Sequence, residues 1–136
     1  MGIDELAVGA SAEYAKTVTE ADVMAFAEVT GDFNPVHVDE AAAARSPFGV
    51  RIAHGMLAAG LISAALAMKL PGPGTIYLGQ TLRFTKPVRI GDTVTARVEV
   101  LEVIARKRRV RLATTCRNQH GELVLEGEAT VMVPDG

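Results

Sequence analysis

The stretch Met56-Leu57-Ala58-Ala59-Gly60-Leu61-Ile62-Ser63-Ala64-Ala65-Leu66-Ala67-Met68-Lys69 is apolar on almost every side of a helix, the pattern of a segment enclosed by other elements rather than laid on a surface. Its apolar run, thirteen residues from Met56 to Met68, would reach about 20 Å, against the roughly 30 Å of a bilayer core. A buried central helix is therefore expected, and no membrane span. Pro71-Gly72-Pro73-Gly74 terminates it, since neither residue type continues a helix well.

Beyond Thr75 the chain changes character. Residues 76–84, 93–104, 110–117 and 123–133 are rich in Val, Thr, Leu and Ile, as strands are. Alternation is clear in Val94-Thr95-Ala96-Arg97-Val98-Glu99-Val100 and in Val110-Arg111-Leu112-Ala113-Thr114, so each strand has one buried and one wet face. Gly91-Asp92 and His120-Gly121 supply turns. An antiparallel sheet follows. Upstream of the central helix, residues 13–18 alternate loosely, and Thr19 with Asp22 forms the start signal of a helix carrying Val23, Phe26, Ala27 and Thr30 near one face. Gly31 is placed just past its end. A second short helix is expected from Asp39 through the alanines to Arg45. Helices first and long strands afterwards give an α+β layer arrangement. A long antiparallel sheet wrapped around one apolar helix is the hot-dog architecture, here a single domain over residues 1–136.

Whole-chain properties narrow the function. Hydrophobic residues make up 49% and charged residues 22%, with a net charge of −2, which argues against disorder and against a general affinity for polyanions. The single Cys116 cannot form an internal disulfide, and no CxxC or Cys/His cluster suggests zinc, so a cytoplasmic setting is expected. Met1-Gly2-Ile3-Asp4-Glu5 carries two acids and no apolar run, the opposite of a secretory signal.

The densest polar cluster is Gly31-Asp32-Phe33-Asn34-Pro35-Val36-His37, a carboxylate, an amide and an imidazole within six residues. Asp and His five positions apart on a loop stiffened by Pro35 can face one pocket and hold a water between them, one taking a proton while the other gives one. That is the chemistry of hydration. Spacing alone leaves a second reading open: Asp32 and Asn34 form an Asx-type turn after the helix, with His37 capping a neighbour.

The same seven residues resemble the signature of the R-specific enoyl-CoA hydratases, the type 2 or MaoC-like hydratase family, whose motif runs Gly-Asp-x-Asn-Pro-aliphatic-His. Ala53-His54-Gly55-Met56-Leu57 and Phe84-Thr85-Lys86-Pro87-Val88, with Gly91-Asp92 behind, extend the resemblance over most of the chain. It implies a hot-dog enzyme that reversibly hydrates trans-2-enoyl thioesters to (R)-3-hydroxyacyl thioesters. In it Asp32 and His37 would be the catalytic pair, and Asn34 would orient the loop or the water. The Gly55 N–H would donate to the thioester oxygen, Ser63 would lie beside the pair, and Leu66 would line the acyl pocket. A helix N-terminus suits the Gly55 role, because free donors and a positive dipole end stand where an enolate oxygen gains charge. No metal or cofactor is expected, coenzyme A or acyl carrier protein entering only as part of the substrate, and the partner expected is a second copy in a homodimer or larger homo-oligomer.

His54 adjoins Gly55 and is taken as a packing or hydrogen-bonding residue. Arg106-Lys107-Arg108-Arg109 lies between two alternating strands, the position of a solvated hairpin end rather than a nucleic-acid surface. Those residues, or Lys86 and Arg89, are candidates to meet coenzyme A phosphates. Two other activities fit the fold: a hot-dog thioesterase, whose lone carboxylate would not require His37, and a non-catalytic acyl-thioester-binding module, which would need neither.

Overall fold

The structure, a computed structural model, describes residues 1–134. Its elements follow the residue pattern closely. Strand β1 (Ser11–Thr17) leads into helix α1 (Glu20–Thr30). Thr19 caps α1, its hydroxyl accepting from the Asp22 N–H at 3.1 Å while the Asp22 carboxylate accepts from the Thr19 N–H at 2.9 Å, a reciprocal pair that satisfies two otherwise orphaned donors. Those bonds, led by the Thr19 N–H, hold the Asp22 carboxyl below its ordinary value. Gly31 closes the helix at φ 83°, a left-handed conformation that costs glycine little.

Two short helices, α2 (Pro35–Val38) and α3 (Glu40–Ala44), precede the central α4 (Gly55–Met68). Then come β2 (Ile76–Gln80), β3 (Arg83–Phe84), β4 (Thr93–Ile104), β5 (Arg109–Arg117) and β6 (Leu123–Met132). All pairings are antiparallel, in the order β1-β4-β5-β6-β2, with β3 also on β6. The sheet is a mixed α+β hot-dog arrangement in one domain: α4 lies across β1, β4 and β5. Val94, Ala96, Val98 and Val100 of β4 and Val110, Leu112 and Cys116 of β5 are fully buried, facing Leu61, Ile62, Ala65 and Leu66 of α4 in one core.

Two expectations need correction. Residues 76–84 are not one strand: β2 ends at Gln80 and β3 begins at Arg83, with Thr81 between them still held to β6 by its N–H on the Glu128 carbonyl at 2.9 Å. A side chain on Gly127 would overlap the Thr81 carbonyl, so glycine makes this close approach possible. Nor is α4 covered all round. Met56 and Gly60 are exposed and with Ser63 line a groove beside β2, and Met68 is exposed at the helix end. No helix among the described residues is long and apolar enough to cross a membrane.

Candidate active site

Asp32 follows the C-terminus of α1, in a turn of hydrogen bonds made by its own neighbours. Its N–H donates to the Thr30 hydroxyl at 3.2 Å, and its Oδ1 accepts from the Asn34 N–H at 3.2 Å. The Asn34 side chain in turn accepts from the Val36 N–H at 3.4 Å. Asn34 is thus the N-cap of α2, with Pro35 at the first helical position, where a missing N–H costs nothing. The Asx-turn reading and the catalytic reading are therefore compatible: the turn is what aims the Asp32 carboxylate. His37 sits on this single helical turn, not on a loop as the sequence suggested.

His37 is 8% exposed. Its Nδ1 lies 2.7 Å from the Ile52 carbonyl, and since a carbonyl can only accept, Nδ1 carries the hydrogen and Nε2 is left for chemistry. The His37 carbonyl accepts from Nε of Arg51 at 2.7 Å, and Nη1 of Arg51 donates to Oε1 of Glu20 at 2.8 Å. A buried guanidinium thus ties the His37 turn to the start of α1, with its charge balanced by a carboxylate. Sequence reasoning missed Arg51. The available signal is a lone charge between Val50 and Ile52, just ahead of the central helix.

One donor atom each from Asp32, His37 and His54 lies within 4.8 Å of the others, close enough for one water to link carboxylate and imidazole. They stand where two cavities meet. One, of about 450 Å³, is lined by His37, Phe48, Gly55, Met56, Phe84 and Val88 among others. The second, of about 380 Å³, is lined by Phe26, Thr30, Asp32, His37, His54 and Gly55, with Met56 at its rim. His37, Gly55 and Met56 belong to both. Gly55 is the first residue of α4, so its N–H has no acceptor within the helix and points with the positive end of the helix dipole. A Cβ at Gly55 would come 2.7 Å from the Phe84 ring, so a side chain here would have to displace the ring that packs against the start of α4.

The other expected residues are dispersed. Ser63 is half-buried on the open face of α4 and lines a neighbouring groove with Met56, Gly60, Tyr77 and Leu78. Leu66 is 1% exposed in the core and is not among the residues lining either cavity at the Asp32 and His37 site. Its burial fits core packing, whereas the resemblance implies an acyl wall. Lys86 lines the larger cavity and is paired with Glu122. Arg106 and Lys107 are exposed at the β4–β5 turn, and Arg111 pairs with Glu102 and Glu128.

Comparison with known proteins shows the family and the fold. Residues 7–121 match the family described as MaoC like domain. Over 96% of its length the chain is 53% identical to an (R)-specific enoyl-CoA hydratase of Rhodospirillum rubrum, covering 90% of that protein. It is 55% identical, over 96% of its length and 83% of the relative's, to a 3-hydroxybutyryl-CoA dehydratase of Methylorubrum extorquens. The solved R-hydratase of Pseudomonas aeruginosa in its unliganded form superposes with a TM-score of 0.95 at 56% identity, covering 99% of this chain and 86% of that one.

Proposed function

The chain belongs to the MaoC-like hydratase and dehydratase family, and from that premise we propose that it reversibly hydrates trans-2-enoyl-CoA to (R)-3-hydroxyacyl-CoA. It is a lyase of the hydration and dehydration type. The observation that carries the reading is the meeting of the Asp32 carboxylate, the His37 imidazole and the free Gly55 N–H at one junction of two cavities.

In the proposed reaction a water is held between Asp32 and Nε2 of His37. One member of the pair removes a proton as the oxygen adds to C3. Charge then gathers on the thioester oxygen, where the Gly55 N–H at the start of α4 stabilises it. The pair returns a proton to C2, so the product gains one whole water and the enzyme is unchanged. No cofactor enters these steps; coenzyme A or an acyl carrier is the handle of the substrate. Asn34 supports the pair by capping α2 and holding the carboxylate oxygen. The reaction is proposed to run in the cytoplasm, in keeping with a single free, buried thiol at Cys116.

The test is substitution at the pair. Asp32→Asn and His37→Gln should each leave a folded protein and lower crotonyl-CoA hydration by at least about a hundredfold, the lower end for a general acid or base. Near-normal turnover by either variant, with a normal melting curve, would remove that residue from the mechanism.

A further inference from the structure

Against the pair lies a second imidazole that the hydration steps leave unused. His54 is 2% exposed and its ring centroid is 3.9 Å from that of His37, with the planes inclined by 30°. Phe26 packs on it as well, at 4.7 Å. Its Nε2 is 2.9 Å from the backbone carbonyl of Asp32; the carbonyl can only accept, so Nε2 carries the hydrogen. Its Nδ1 is buried with no hydrogen-bond partner among the described residues.

That orphan nitrogen is informative. A side chain present only to fill space between Phe26 and His37 would carry no such atom, since a phenyl ring or a leucine packs there without leaving a buried acceptor unmade. His54 also precedes α4 without capping it through its side chain. What remains is the bond to Asp32. Asp32 is exposed and follows a helix end, and among the described residues its side chain is fixed by the Asn34 N–H alone, so the loop needs a tether on the side facing His37. We infer that His54 is a positioning residue: its Nε2–H pins the Asp32 backbone while its ring backs that of His37, fixing the separation of the reacting pair. This rests on Asp32 and His37 being that pair.

Three variants and one spectrum test it. His54→Phe keeps the ring contact and loses the donor. His54→Asn is too short to reach the carbonyl, whereas His54→Gln places an N–H the same number of bonds from Cα. With crotonyl-CoA, Phe and Asn should lower kcat by about ten- to a hundredfold, the scale of a small misplacement of reacting groups, with KM held within about threefold. Gln should recover most of the loss. If Phe fails to fold, the Asn and Gln pair carries the comparison. Unchanged kcat in Asn, or Gln as impaired as Asn, overturns the inference. Independently of activity, two-bond proton–nitrogen spectra of the parent should show His54 protonated at Nε2 and bare at Nδ1, and the reverse pattern overturns it. A parent with the expected tautomer and no hydration activity would instead refute the proposed function alone.

Discussion

Asp32 and His37 are brought together by hydrogen bonds to the residues around them, some of them made by the pair's own side chains. Asn34 caps the turn that carries His37, the Ile52 carbonyl selects which nitrogen of His37 is free, and Arg51 holds the same residue from behind. The proximity of Asp32 and His37 was legible in the sequence because carboxylate, amide, proline and imidazole fall within one short segment. Their supports were not, because Ile52, Arg51 and His54 come from 14 to 22 positions away and reach the site only once α4 is docked. His54 read correctly as a hydrogen-bonding residue, yet its partner, the Asp32 carbonyl, could not be named before the chain folded. Cys116 illustrates the converse: burial pushes its thiol up to about 12, and its Sγ–H rests 3.6 Å from the Ala58 carbonyl, which makes it a small core residue rather than a nucleophile.

At the scale of elements, regular periodicity was the reliable signal. The bounds 93–104 were legible to the residue, and α1 with its cap and closing glycine followed from Thr19, Asp22 and Gly31. Two kinds of element were not legible. The one-turn helix α2 has too few residues to show a period, and the gap between β2 and β3 falls where the Thr81 carbonyl occupies the space a side chain would take on Gly127, a residue of a different strand. Leu66 marks the limit for the central helix: an apolar residue one turn from Ser63 can face tunnel or core, and the structure puts it in the core. Leu66→Ala should therefore cost about 2–5 kcal/mol of stability and leave the preference between eight-carbon and four-carbon enoyl-CoA unchanged. The check is thermal unfolding alongside specificity constants for both substrates. A shifted preference at unchanged melting temperature would return Leu66 to the acyl wall.

For the whole molecule, the open face of α4 and the edge of β2 are the unfinished parts. Met56, Ile76, Tyr77 and Leu78 are each at least 40% exposed, and β2 pairs on one side only, at the end of the sheet. Bare strand edges and apolar faces invite a second copy. We propose a homodimer joined along this side, which would also close the groove that Ser63 lines. Sedimentation of active protein at micromolar concentration should give twice the chain's mass, and a monomer would contradict it. The central claim remains the reaction. The most direct test is to incubate the purified parent protein with crotonyl-CoA and analyse the products: (R)-3-hydroxybutyryl-CoA at equilibrium with substrate and no released coenzyme A thiol is the expected result. Stoichiometric thiol release without a hydroxyacyl product, or binding with no turnover, would contradict it.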